Sequence, residues 1–182
     1  MLAAFAGALG VILIAWGVAA GEPLIAVSAA LLVSAPIGFS LQRRSDHTAR
    51  MIIAVTFPLL AGLLLAMARS TEWLIDMHML FFAFLAVLAI IADWRVILAA
   101  TATTALHHLL LNFFAPTFVF PDGSDVWRVI FHAVVVLVEA SVLMILCVRF
   151  ETLIHRLKES SKAQAALDAE RHAEREAVAA EQ

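Results

Sequence analysis

Four histidines lie within long apolar stretches in the second half of the chain. They are His78, His107, His108 and His132. An ionisable side chain in hydrocarbon costs several kcal/mol unless it has a partner, so such residues are candidates for function. Imidazole is also the side chain that most often binds haem iron, zinc and copper in proteins. The four histidines are therefore the candidate ligands of a haem b or of a transition-metal ion, copper or zinc.

The positions of these histidines along their apolar runs predict that they share one depth. His78 lies about four residues after the start of its run, His108 about six before the end of the next, and His132 about six after the start of the last. At a rise of about 1.5 Å per residue, all three lie roughly 6 to 9 Å below the same boundary of the hydrocarbon layer. His107 and His108 differ by about 100° around a helix, so a single ion would more easily take one of them, with the other supporting the site. We expect His78, His132 and at least one of this pair to converge.

Other polar residues near the histidines form a candidate supporting set: Asp76, Asp93, Arg95, Asn112 and Glu139. Residues four or seven apart share a helix face, which aligns His108 with Asn112 and His132 with Glu139. Glu139 lies about 10 Å deeper than His132. The alternative to a cofactor is that the imidazoles hydrogen-bond to one another and to these residues, and so hold the helices together.

The helices that would position these residues are indicated by composition. The chain is 63% hydrophobic with a mean hydropathy of +0.96, well above the roughly half-apolar composition of soluble domains. The apolar residues form continuous runs long enough to cross a hydrocarbon layer of about 30 Å. The runs cover residues 2–20, 24–41, 51–68, 74–92, 96–114 and 126–150. We predict an all-α integral membrane bundle of about six transmembrane helices.

Basic residues predict the orientation, because short loops rich in Lys and Arg stay in the cytoplasm. Arg43, Arg44 and Arg50 place the second loop inside, and alternation then places both termini in the cytoplasm. The loop at 116–125, which contains Asp122, is predicted to lie outside. Arg69 is a minor exception to the rule, as is Arg128.

After residue 150 the composition changes to Glu, Ala, Arg, Lys and Gln without Gly or Pro, which is typical of a long solvated helix. Apolar residues recur there at roughly coiled-coil spacing, among them Ile154, Leu157 and Val178, although the heptad is imperfect. We divide the chain into a transmembrane sensory domain, 1–150, and a cytoplasmic helical connector, 151–182. The connector is expected to lead to a cytoplasmic signalling domain; the alternative is a solvated tail. The single cysteine, Cys147, excludes an intrachain disulfide.

Residues 78–139 resemble the membrane-embedded sensory region of some bacterial methyl-accepting chemotaxis proteins and related signalling proteins. The matching segments are His78-Met79-Leu80-Phe81-Phe82, Asp93-Trp94-Arg95, the stretch from His107 to Asn112, and the stretch from Arg128 through His132 to Glu139. The resemblance implies a sensor in the bacterial inner membrane, whose signal leaves through the last helix into a cytoplasmic coiled coil. It also implies a homodimer.

Three classes of function are compatible with these observations. The first is a transmembrane sensor of oxygen, redox state or metal that uses the histidines and is not an enzyme. The second is a membrane metal-dependent hydrolase, which the 10 Å separation of His132 and Glu139 disfavours. The third is a small transporter or proton channel, which would more often contain repeated halves and broken helices. The expected partners are membrane lipid and a second copy of the chain, and not nucleic acid.

Overall fold

The computed structural model describes residues 1–115 and 125–180, and every regular element in those residues is helical. The elements are α1 (Leu2–Ala19), α2 (Pro23–Leu41), α3 (His47–Ala68), α4 (Leu74–His78), α5 (Leu80–Leu88), a 3₁₀ turn (Ala89–Ile91), α6 (Trp94–Phe114) and α7 (Val126–Ala180). Within the described part, six helical stretches are long and apolar enough to cross a membrane, which confirms the predicted helical class and the number of apolar helices. The predicted outer loop, with Asp122, lies outside the described residues apart from Asp125.

Capping side chains decide where two of these helices begin. The Asp46 carboxylate accepts a hydrogen bond of 3.0 Å from the backbone N–H of Ala49, so α3 begins at His47, four residues before the predicted apolar run. This bond, together with those from Arg44, holds the pKa of Asp46 below its usual value. The Asp93 carboxylate likewise caps α6 through the N–H of Arg95, at 3.0 Å. Both caps lie at the same end of the bundle.

The fourth apolar run is divided into two helices, unlike the single helix over 74–92 that the sequence predicts. The N–H of Met79 bonds to the carbonyl of Asp76 at 3.1 Å, three residues back, and α4 ends there. The run then continues as α5 and the 3₁₀ turn, which ends at Ala92 in the left-handed conformation with φ of 54°. This break makes His78 the last residue of α4 and not an interior residue of a long helix.

Helix α3 is the central element of the bundle and contacts α1, α2, α4, α5 and α6. Its fully buried side chains include Phe57, Leu60 and Leu65. The Phe57 ring lies 5.7 Å from that of Phe5 on α1 and 5.3 Å from that of Phe84 on α5, measured between ring centroids. Aromatic contacts of this kind contribute about 0.5–1.5 kcal/mol beyond burial of their area. The first half of the chain thus forms the scaffold against which α5 and α6 pack.

Helix α7 lies at the edge of the bundle and extends far beyond it. It packs mainly on α6, with smaller contacts to α5 and the 3₁₀ turn. Its 55 residues span about 82 Å without interruption, and the described side chains after Arg149 are exposed. The prediction that the tail continues the last apolar helix is confirmed to Ala180. The domain boundary at 150 and the coiled-coil pairing stay predictions, and the side chain of Val178 lies outside the description.

Candidate functional site

Three of the four predicted histidines meet at one level between α4, α6 and α7. The ring centroids of His78 and His108 are 5.0 Å apart, those of His78 and His132 are 5.1 Å apart, and those of His108 and His132 are 6.3 Å apart. His78 and His108 are buried, and His132 is half-buried. We call these three residues the histidine cluster.

Hydrogen bonds to backbone carbonyls determine which nitrogen carries the proton in the neutral rings of His108 and His132. Nδ1 of His108 lies 2.9 Å from the Thr104 carbonyl, and Nδ1 of His132 lies 2.8 Å from the Arg128 carbonyl, each one turn back in its own helix. A carbonyl only accepts, so both Nδ1 atoms donate, and in the neutral rings both Nε2 atoms carry lone pairs. This is the arrangement that metal-binding histidines commonly adopt.

Nε2 of His78 lies 3.0 Å from Nε2 of His108. Since the His108 atom carries the lone pair, the His78 N–H donates to it in the neutral cluster. This bond between His78 and His108 is of the kind expected if the imidazoles only hold the helices together. A metal ion would have to replace the proton between these two nitrogens.

The spacing of the rings is close to that of imidazoles around a single ion. With bonds of about 2.1 Å to Nε2 and tetrahedral angles, two ligand nitrogens lie about 3.4 Å apart and their ring centres about 5.3 Å apart. The pairs that include His78 match this spacing, at 5.0 and 5.1 Å, whereas the His108–His132 pair is about 1 Å too wide. Among the described residues, no three His, Cys, Asp or Glu side chains already form a metal-binding group. A movement of the His132 ring by about 1 Å towards His108 would give all three pairs of rings this spacing.

The same distances fit a haem less well. Two axial imidazoles place their ligand nitrogens about 4 Å apart on opposite sides of the iron, a wider separation than the 3.0 Å between His78 and His108. His108 and His132 are far enough apart to be axial ligands. However, their distances to His78 place its ring about 4 Å from the midpoint between them, where the macrocycle would have to lie. Haem would require His78 to leave the cluster.

His107 is adjacent to the cluster but faces another helix. Its ring lies 5.3 Å from that of His108 and 5.2 Å from that of Phe81, again between centroids. The other side of the ring is packed on Gly62 of α3, where a Cβ would stand only 2.6 Å from Nε2 of His107. Nδ1 of His107 is buried without a hydrogen-bond partner among the described residues. The pair His107-His108 thus contributes one residue to the cluster and one to the contact with α3.

A cavity of about 220 Å³ lies beside the cluster between α5, α6 and α7. All three rings of the cluster line it, together with Phe81, Phe82, Thr104, Leu109, Val136 and Leu137. Leu109 and Leu137 are about half exposed, so this wall is on the outer surface of the bundle. A small ligand could reach the imidazoles from outside the bundle, between α6 and α7.

The other polar candidates lie around the cluster and not in it. Asn112 is buried one turn beyond His108, and its side-chain oxygen accepts a hydrogen bond of 2.9 Å from the N–H of Asp125, which positions the start of α7. Asp76 is exposed on the opposite side of α4 from His78. Glu139 is half-buried, two turns along α7 from His132, and has one carboxylate oxygen without a partner among the described residues.

Asp93 and Arg95 lie at the other end of the bundle, far from the histidines along their helices. Asp93 is buried and forms an ion pair of 3.4 Å with Arg50 of α3, which the sequence analysis did not predict. Arg95 is exposed, with its guanidinium 5.3 Å from the ring of Trp94. A second ion pair that was not predicted joins Arg69 to Glu22, at 2.5 Å. Arg69, the exception to the rule for basic loops, thus has an acidic partner.

Comparisons with protein-family models, curated proteins and solved structures give no match to this chain. The resemblance of residues 78–139 to a chemotaxis receptor region therefore stays a prediction.

Proposed function

We propose that this chain is the membrane-embedded sensory region of a bacterial signalling receptor, and that His78, His108 and His132 bind a transition-metal ion in it. The observation that carries the proposal is the orientation of the imidazoles. Two of them donate Nδ1–H to carbonyls of their own helices and direct Nε2 lone pairs away from those bonds. This leaves the Nε2 lone pairs of both rings able to bind a metal ion.

Copper is the ion we favour, and zinc is the alternative. Imidazole suits both metals. The described residues that line the cavity include no acidic side chain and no thiol, so the ligands would not neutralise the charge of a bound ion. The desolvation cost of an ion grows with the square of its charge, which favours monovalent copper over a divalent ion in this apolar setting.

The route of the signal follows from the position of His132. Binding would draw its ring inward by about 1 Å, and the ring is held to its own helix by the bond to the Arg128 carbonyl. Helix α7 continues from this point to Ala180. We propose that movement of α7 carries the signal to a cytoplasmic domain, in an inner-membrane homodimer with both termini in the cytoplasm.

The test is the metal content of protein purified in mild detergent from cells supplied with copper or with zinc. We expect about one copper ion per chain, and loss of most of it in His108→Ala and in His132→Ala. His107→Ala and Glu139→Gln should retain the metal, because neither residue belongs to the cluster. His155→Ala, in the exposed tail, is the surface control.

Several outcomes would refute the metal proposal. Equal metal content in the wild type and in both cluster variants would exclude these residues as ligands. Absence of iron, copper and zinc from folded protein would favour the alternative in which the imidazoles only hold the helices together. A haem absorption band that disappears with His132→Ala would identify haem as the cofactor in place of a bare ion.

A further inference from the structure

A second cavity, of about 320 Å³, lies at the end of the bundle predicted to be cytoplasmic. It is enclosed by the start of α1, the end of α2, the loop that follows and the start of α3. Its walls include the apolar side chains of Leu2, Pro36 and Ile53. Its rim includes Ser40, Ser45 and two arginines, Arg44 and Arg50. An apolar interior and a basic rim are thus combined in one site.

Contacts with neighbouring groups hold both guanidinium groups in place. Arg44 donates to the Asp46 carboxylate through Nε at 3.0 Å and Nη2 at 2.5 Å, and lies 4.3 Å from the centre of the Phe39 ring. Arg50 donates through Nε to the Ser45 carbonyl at 3.2 Å and through Nη1 to Asp93 at 3.4 Å. Each guanidinium has five N–H donors, so these bonds leave donors on both residues for an anion.

The charge around the cavity favours an anionic ligand. Arg44 and Arg50 line the cavity, and their ion-pair partners Asp46 and Asp93 do not. Arg43, next to Arg44 in the chain, adds a third positive charge without lining the cavity. The net charge of these five groups is one positive charge. They lie at the ends of helices long enough to span a membrane, which is the level of lipid phosphates. A free anion would use only the rim, whereas a lipid would also use the apolar interior.

We propose that this cavity binds one anionic phospholipid, with its phosphate between Arg44 and Arg50 and the start of an acyl chain against Leu2, Pro36 and Ile53. The lipid would join α1, α2 and α3. Through the ion pair of Arg50 with Asp93 it would also reach the corner that begins α6. The site is separate from the histidine cluster, at the opposite end of α6, and does not depend on metal binding.

The experiment is native mass spectrometry of the detergent-purified chain, titrated with phosphatidylglycerol or with phosphatidylcholine of the same acyl chains. We expect one phosphatidylglycerol to stay bound at concentrations at which phosphatidylcholine does not. The double variant Arg44→Gln/Arg50→Gln should weaken that binding by about thirtyfold, because each basic residue near an anionic surface usually contributes roughly fivefold to binding. Arg95→Gln is the matched control, because it removes an arginine at the same end of the bundle that does not line the cavity.

Ser45→Glu provides a second variant that keeps both arginines and the backbone carbonyl that Arg50 uses. It adds a negative charge to the rim and should weaken binding of phosphatidylglycerol even if the double variant fails to fold. Equal retention of the two lipids would overturn the proposal, as would unchanged binding in folded Ser45→Glu. Displacement of the bound lipid by millimolar inorganic phosphate would show that the rim binds free anions and that the apolar interior contributes nothing.

Discussion

Replacement of Gly62 by alanine tests whether the packing of His107 on α3 supports the neighbouring cluster. An added Cβ would stand 2.6 Å from Nε2 and 3.0 Å from Cδ2 of His107, so the ring must move by about 0.8 Å to regain ordinary contact. The ring cannot move freely, because Phe81 and His108 contact it. Displacement towards His108 would disturb the bond between His108 and His78.

The expected magnitude combines two opposing effects. Overpacking of a filled interior costs about 1–3 kcal/mol, whereas alanine in place of glycine within a helix stabilises by about 0.5–1 kcal/mol. We expect Gly62→Ala to lower the free energy of unfolding by about 1 kcal/mol. The matched control is Gly7→Ala in α1, where the nearest atom to the added Cβ is Cδ1 of Ile37 at an ordinary 3.4 Å. That control should be neutral or slightly stabilising.

The assay is unfolding in mixed detergent micelles, followed by circular dichroism, for Gly62→Ala, His107→Ala and the double variant. If the steric contact is the cause, the double variant should recover most of the loss due to Gly62→Ala, with a coupling energy of about 1 kcal/mol. Additive effects of the two substitutions would refute this account of the contact. Bound metal, measured on the same samples, should fall in Gly62→Ala and recover in the double variant.

Three further predictions concern the end of the bundle that is predicted to be cytoplasmic, and the tail. Asp93→Asn should keep the cap of α6 but lose the ion pair with Arg50, so it should lower the free energy of unfolding by less than about 1 kcal/mol. Asp93→Ala also removes the cap and should cost about 1 kcal/mol more in the same unfolding assay. Equal losses of stability in the two variants would exclude a role for the cap. A reporter fused at His47 should be active in the cytoplasm, and a periplasmic signal would overturn the predicted orientation. Cysteines introduced one at a time at Ile154 and Leu157, with Cys147 replaced by serine, should form disulfide-linked dimers in membranes; no crosslink through a full helical turn would argue against a paired connector.

The helical architecture could be predicted from the sequence because its signal is local. A continuous apolar run of membrane length has few alternatives to a helix, and the tail lacks any residue that would end one. The break at Met79 could not be predicted in this way. No proline or glycine marks it, and it is seen only as a bond from Met79 to the carbonyl of Asp76 in place of the usual one four residues back.

The level of the histidines was also accessible from the sequence, since depth depends only on counting residues along a helix. The face of α6 that turns towards α7 could not be predicted from the sequence, because it depends on how the helices pack. The sequence left His107 and His108 as alternatives, and it is the close approach of Gly62 that directs His107 to α3. The ion pair of Arg50 with Asp93 joins residues 43 positions apart, which no local pattern indicates.

The arrangement of the cluster explains how binding at one end of the bundle could be coupled to the tail. His78 and His108 belong to helices that pack on α3, whereas His132 belongs to α7, which has little contact with the first three helices. The two short distances both involve His78, and the long one separates His132 from His108. An ion that equalises the three distances would therefore move the least constrained helix against a fixed pair. Fifteen residues along α7 from His132, Cys147 lies 3.9 Å from the carbonyl of Ala89 in the 3₁₀ turn. If α7 tilts about this second contact, the tail beyond residue 150 moves in the opposite direction to His132.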